Sequence, residues 1–375
     1  MKTNATPVVI IDVAKMNANI ERMIGHVTSL GAVFRPHAKT AKCVPVTKAM
    51  LDKGAQGITV STLKEAQEFF ASGITTNILY AVGMAETKLP AALELIRSGC
   101  DLTIITDNVD SARAINTFGT ANNTRFKVLI EVDTDGHRSG VLPDSAELIA
   151  VAEALEGLGA TVHGVLTHAG GSYALNTPEA LHAMAEQERS RTVLAATRLR
   201  ERGFACPVVS VGSTPTALSA QSLEGITEVR AGVFVFFDLV MANVGVCSPE
   251  DIALSVLTTV IGHQKEKGWA IVDAGWMAMS RDRGTANQQT DYGYGQVCDV
   301  SGQVLPGYCM SGANQEHGII SLMHGNDADI AARFPIGTKL RILPNHACAT
   351  SAQFPDMQAV FPDGTASVWP RFYGW

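Results

Sequence analysis

Two short stretches of this chain put reactive side chains at spacings that chemistry can use. The first is Arg35-Pro36-His37-Ala38-Lys39-Thr40-Ala41-Lys42. Gly31-Ala32-Val33-Phe34 before it reads as a strand and Val44 to Leu51 after it as a helix, so Lys39 falls at a strand's C-terminal end. In parallel α/β barrels that end carries the active site. A lysine there, near buried surface and the second cation Lys42, has its ammonium form disfavoured and becomes an amine nucleophile suited to Schiff-base chemistry. Without that context the pair reads as two surface lysines on a loop. The second stretch is Pro344-Asn345-His346-Ala347-Cys348-Ala349-Thr350. On an extended backbone, residues two apart share a face, so His346 and Cys348 can aim one imidazole and one thiolate at a single ion. Such donors suit zinc, and two protein ligands leave positions open for water or substrate, as a catalytic site requires. The plainer reading is a core histidine beside a buried cysteine.

The elements that must position these residues follow from periodicity. From Asp12 to Leu30 apolar residues recur at helical spacing, with Asp12 as N-cap. Counted from the strand at 31–34, strand and helix patterns then alternate, with further strands near 57–60, 77–81, 102–106, 126–132, 161–167, 207–211 and 227–230. Strands separated by helices specify a parallel sheet, and eight such units in under about 250 residues favour a closed barrel. Past Val240 the segments become short, β-rich and separated by Gly, Pro and Asp, the pattern of an antiparallel domain. The fold class expected is therefore α/β: a (β/α)8 TIM-like barrel over 1–240, then a mainly antiparallel β domain over 241–375. The extreme N-terminus is free to pack with the second.

Within that frame, further turns fall where a barrel holds ligands. Gly212-Ser213-Thr214 follows the seventh strand and Arg230-Ala231-Gly232-Val233 the eighth, the usual place of a phosphate cradle in this architecture. Ser213 or Thr214 before Pro215 is equally a helix cap. Thr134-Asp135-Gly136-His137-Arg138-Ser139-Gly140 ends the fifth strand, and Thr167-His168-Ala169-Gly170-Gly171-Ser172-Tyr173 the sixth. Alternation lets only one of Thr167 and His168 point into the barrel, and the sequence leaves open which.

Composition narrows the class. A net charge of −7 without a lysine-arginine cluster argues against a nucleic-acid partner. The N-terminus lacks signal-peptide architecture, and no uncharged apolar run approaches the ~18 residues of a membrane helix, so a cytoplasmic protein with no membrane partner is expected. Seven scattered cysteines, none in a Cys-x-x-Cys pair, make a disulfide framework an unsuitable reading.

Pro36-His37-Ala38-Lys39-Thr40-Ala41-Lys42 resembles the pyridoxal-phosphate lysine motif of the D-threonine aldolase and D-serine dehydratase group, a branch of the alanine-racemase-like fold (fold type III). The likeness runs essentially the whole length. It implies that Lys39 forms the Schiff base with pyridoxal 5'-phosphate. Gly212, Ser213, Thr214, Gly232 and Val233 then bind its phosphate, while Arg138 and Tyr173 contact the cofactor. His346 and Cys348 match the His-x-Cys zinc pair of D-serine dehydratase-like enzymes, where manganese, cobalt or nickel are possible replacements. The aldolases of the group have aspartate at the second position, so cysteine favours dehydration. The expected function is elimination of water from a D-β-hydroxy amino acid, giving oxaloacetate and ammonia from 3-hydroxyaspartate or pyruvate from D-serine. Lys39, His346 and Cys348 would be the catalytic groups of a homodimer. The alternatives are retro-aldol cleavage, a non-catalytic cofactor-binding protein and a racemase.

Overall fold

A computed structural model describes residues 5–375, and the chain divides into two compact units. One comprises Glu21–Gly232 with Phe372–Trp375, the other the segment ending at Ile20 together with Val233–Arg371. In the first, strands β2 (Val33–Pro36), β3 (Ile58–Val60), β4 (Asn77–Gly83), β5 (Asp101–Thr106), β6 (Phe126–Glu131), β7 (Ala160–Leu166), β8 (Val208–Val211) and β9 (Glu228–Ala231) form one parallel sheet in the order β2-β9-β8-β7-β6-β5-β4-β3. A parallel bridge between His37 and Thr59 joins its two ends. Helices alternate with these strands, as a parallel sheet requires. Leu79, Ile105, Leu129 and Leu166, from four successive strands, fill the interior as one buried apolar layer.

In the second unit the leading strand is β1 (Val8–Asp12), whose apolar Val8-Val9-Ile10-Ile11 the sequence analysis does not assign to a strand. It pairs antiparallel with β10 (Leu254–Gln264) and parallel with β16 (Asp356–Val360). The other strands are β11 (Trp269–Val272), β12 (Gln296–Cys298), β13 (Val304–Ala313), β14 (Gly318–Leu322), β15 (Lys339–Leu343) and β17 (Ala366–Pro370). The pairings β10–β11, β11–β14, β14–β13, β13–β12, β12–β15 and β15–β10, all antiparallel, close a six-stranded barrel that abolishes its own edges. None of the seven cysteines forms a disulfide, and five are buried as small apolar residues. Among the described residues no helix is long and apolar enough to cross a membrane.

Candidate active site

At the barrel's strand ends, the chain leaves β2 through His37, which caps the short turn Ala38–Thr40, its Nδ1 accepting from the Lys39 N–H at 3.4 Å. The Lys39 side chain is left exposed. Lys42, the second cation of the stretch, is itself paired. Its ammonium lies 3.1 Å from Glu65, a carboxylate with only 1% of its side chain exposed, so its charge is already balanced.

Two histidines face this turn in neutral form. Burial pushes the His37 imidazole well below its ordinary range, helped by the charges of Lys39, Arg230 and the neighbouring His168. His168 is lowered to about 3, again chiefly by burial, although its Nδ1–H donates to Gly212 O at 3.0 Å, a bond that favours the proton. That bond fixes the tautomer and leaves Nε2 as an acceptor. Thr167 turns the other way: it is buried, its hydroxyl 3.0 Å from that of Thr134. The alternation between Thr167 and His168 is thus resolved, with His168 on the Lys39 side and its ring 6.1 Å from that of Tyr173. Arg138, on the turn after β6 that Asp133 organises by accepting two backbone N–H bonds, lies 3.3 Å from Glu131. Its charge is felt at His168.

The glycine loops behave as close-packing devices. Gly212 has φ +138°, and a Cβ there would fall 2.0 Å from Arg230 O; at Gly232 a Cβ would meet Thr40 Oγ1 at 3.2 Å and His37 O at 3.3 Å. The loops after β8 and β9 therefore approach each other and the Lys39 turn through bare backbone. Ser213 caps the helix Thr214–Ser219 in a reciprocal box with Thr216, and its hydroxyl also meets Ser172 at 2.8 Å. The capping alternative is realised at Ser213, whose hydroxyl is fully engaged. Thr214 is buried beside it, and Val233 begins the short turn Val233–Val235.

Two residues that the sequence argument does not single out hold this end together. Glu188, buried on the helix Pro178–Glu201, accepts from the N–H groups of Ala169 at 3.0 Å and Gly212 at 3.1 Å, tying together the loops after β7 and β8. Arg230 is buried inside the barrel and donates to Ser210 Oγ and Thr167 O, while Ser210 donates to Glu228, which Arg35 meets at 2.8 Å. Arg230 belongs to a stretch singled out for its glycine, and its spacing of two from Glu228 is the signal that both share a face.

In the β unit, His346 and Cys348 do lie together, but not on an extended segment as expected. His346 is the extended residue ahead of the helix Ala347–Ser351, and Cys348 lies in its first turn. The helix start brings the two side chains within hydrogen-bonding reach. His346 Nδ1–H donates to Asp282 Oδ2 at 2.6 Å. Burial opposes a charge on His346, but Asp282 and the neighbouring Cys348 sulfur raise it to about 11. Asp238, buried, accepts from the Ala347 N–H at 2.9 Å and faces the same imidazole. Asn345 donates to Asp282 O at 3.2 Å and Gly293 O at 2.8 Å, fastening the segment that carries Asp282. A carboxylate on Nδ1 leaves Nε2 to ligate, the arrangement typical of histidine metal sites. Among the described residues no larger convergence of His, Cys, Asp and Glu completes a ligand set. Asp282 and Asp238 are far from His346 in sequence, and no local pattern announces either. Glu316 and His317 lie exposed in the turn between β13 and β14.

The family model for the alanine racemase N-terminal domain matches residues 11–240, and one described as "Putative serine dehydratase domain" matches 253–360. D-threo-3-hydroxyaspartate dehydratase of Delftia sp. (strain HT23) is 61% identical over 372 residues, 99% of this chain and 98% of the relative. The chain belongs to the alanine-racemase-like dehydratase family. The structure of that Delftia enzyme superposes with a TM-score of 0.98, covering 100% of this chain and 99% of the other. More distant family members differ in reaction. D-serine dehydratase of Dictyostelium discoideum is 29% identical over 96% of this chain and 94% of its own length, and D-threonine aldolase of Arthrobacter sp is 26% identical over 92% and 86%.

Proposed function

We propose that this chain is a dehydratase converting D-threo-3-hydroxyaspartate to oxaloacetate and ammonia, with pyridoxal 5'-phosphate on Lys39 and zinc on His346 and Cys348. The observation that carries the reading is the 61% identity, over 99% of the chain, to a dehydratase named for that substrate. The residues fit both groups. A reachable primary amine stands beside loops whose glycines exclude side chains, and the nearby His37 and His168 stay neutral. In the β unit an imidazole nitrogen and a sulfur, the first oriented by a carboxylate, form a borderline-soft donor pair that suits zinc. Two solved mutants of a D-threo-3-hydroxyaspartate dehydratase, 60% and 61% identical to this chain, add support. One replaces a histidine, the other a cysteine two positions later, and the cysteine mutant is described as metal-free.

When bound, the cofactor supplies an electron sink for the pair left at Cα. A zinc ion supplies Lewis acidity at the departing β-oxygen. The protein's own contribution begins with Lys39 Nζ, which would take the Cα proton. Arg138, always charged, is a fixed donor at the cofactor. His168, with its proton held on Nδ1 by Gly212 O, offers only an acceptor at Nε2 and so adds no cation beside Lys39. Asp282 holds His346 Nδ1–H and keeps Nε2 for the ion. Gly212, Thr214, Gly232 and Val233 are the residues that would hold the phosphate, and Tyr173 would contact the cofactor.

The test is a product assay on purified enzyme with D-threo-3-hydroxyaspartate, its stereoisomers, D-serine and D-threonine. Stoichiometric ammonia and oxaloacetate from the first is the expected result. Glycine and an aldehyde would establish retro-aldol cleavage instead.

A further inference from the structure

3-Hydroxyaspartate differs from serine by a carboxylate on Cβ, the carbon that also bears the hydroxyl to be expelled. A cation that selects for it must therefore stand near whatever receives that hydroxyl. On the proposed function, on which this inference rests, the receiver is the ion on His346 and Cys348. The segment 279–283 is fastened at two points to the stretch that carries that pair. His346 Nδ1–H donates to Asp282 at 2.6 Å, and Thr350, on the helix of Cys348, donates to Met279 O at 2.8 Å. Two arginines flank Asp282. Arg283 is committed, since its Nη2 donates to both oxygens of Asp291 at 3.2 and 2.9 Å. Arg281 is not: its side chain is exposed, and among the described residues no carboxylate lies within ion-pairing distance of it. Its guanidinium instead lies over Trp276, 5.0 Å from the ring centroid. A guanidinium resting over an aromatic ring can still offer its N–H groups to a carboxylate. The turn that presents it is held under strain. Ser280, immediately before it, has φ +70° and ψ 167°, a region costly for any residue with a Cβ, and its Oγ accepts from the Asp282 N–H at 3.1 Å.

We propose that Arg281 binds the β-carboxylate of the substrate and thereby selects 3-hydroxyaspartate over serine. Asp282 and Arg281 then divide the work of adjacent positions, one orienting the metal's imidazole and the other gripping the substituent beside the leaving group.

The experiment compares wild type, Arg281→Leu and Arg281→Lys as enzymes loaded with cofactor and zinc. KM and kcat are measured on D-threo-3-hydroxyaspartate and D-serine. Equilibrium binding of D-aspartate and D-alanine is followed through the cofactor's absorbance. D-aspartate keeps the distal carboxylate and has no hydroxyl to lose; D-alanine lacks that carboxylate. Arg281→Leu is expected to raise KM for 3-hydroxyaspartate and Kd for D-aspartate by about 10- to 100-fold, the worth of a charge-assisted pair. D-alanine binding should be unchanged, and the lysine variant should recover part of the loss. Should the leucine variant fail to fold, Arg281→Gln, which keeps a polar amide over Trp276 while losing the charge, carries the same comparison. Unchanged D-aspartate binding, or an equal loss with D-alanine, overturns the assignment. A wild type that forms no oxaloacetate defeats the proposed function itself, while the comparison of D-aspartate with D-alanine still reports on Arg281.

Discussion

Lys39 and His346 owe their proposed roles to neighbours of opposite kinds. The Lys39 amine stands exposed beside histidines that burial keeps neutral, with Lys42, three residues on, held by Glu65. Lys39→Ala should therefore lose the bound-cofactor absorbance and lower turnover by at least about a thousandfold, with circular dichroism unchanged. His346, by contrast, depends on Asp282 at 2.6 Å. Asp282→Asn should weaken zinc about 10- to 100-fold in a chelator competition, the usual effect of removing a ligand's carboxylate partner, and leave cofactor absorbance in place. Metal affinity equal to wild type would remove Asp282 from the site. Of these residues Lys39 and the His346-Cys348 pair are legible in sequence, because each sits in a local pattern that means something by itself. Asp282 is not, because its relation to His346 spans 64 positions and exists only once β12 and β15 are paired. Glu188 is hidden for a related reason: in the sequence it is one more acidic residue on a long polar helix.

At the scale of elements, the loops after β7 and β8 are joined by Glu188 and by the bond from His168 to Gly212 O. This joint carries a proton-linked cost. The folded-state pKa of His168 lies at about 3, below the ordinary 6.5, so above pH 6.5 both folded and unfolded chains hold it neutral and its full contribution is present. As pH falls below 6.5 the unfolded chain takes up a proton that the folded one refuses until about pH 3, and stability is lost over that window. His37 is shifted in the same direction. In cofactor-free protein, His168→Asn should flatten the fall of unfolding free energy between pH 6 and pH 5 by up to about 1.4 kcal/mol per pH unit in urea titrations. A slope identical to wild type would mean that the imidazole is not held neutral by burial. The barrel strands themselves are readable from sequence because each is a short apolar run followed by its own helix. The closed six-stranded barrel of the other unit is not, since its order β11-β14-β13-β12-β15-β10 depends on which distant segments pair. Nor does sequence reveal that the residues after His346 leave extended backbone at once, a matter of where one helix begins.

For the molecule as a whole, we propose a homodimer, the commonest closed assembly and the one the resemblance implies. Light scattering at micromolar concentration should give twice the 39.7 kDa chain mass, and a single-chain mass would refute it. The division into units carries a different consequence, one of timing. Strand β1 pairs through Val9 with Val256 and through Ile10 with Gln358, so a strand near the start of the chain completes a sheet made almost entirely from its last third. During synthesis at about 5–20 residues per second, β1 emerges on the order of tens of seconds before β10 exists. All eight strands of the parallel barrel are translated in that interval. The barrel can close on the ribosome while Val8-Val9-Ile10-Ile11, an apolar strand with two open edges, waits without a partner. The segment that most needs shelter during translation is therefore at the front of the chain, and chaperone occupancy on nascent chains should be sought there.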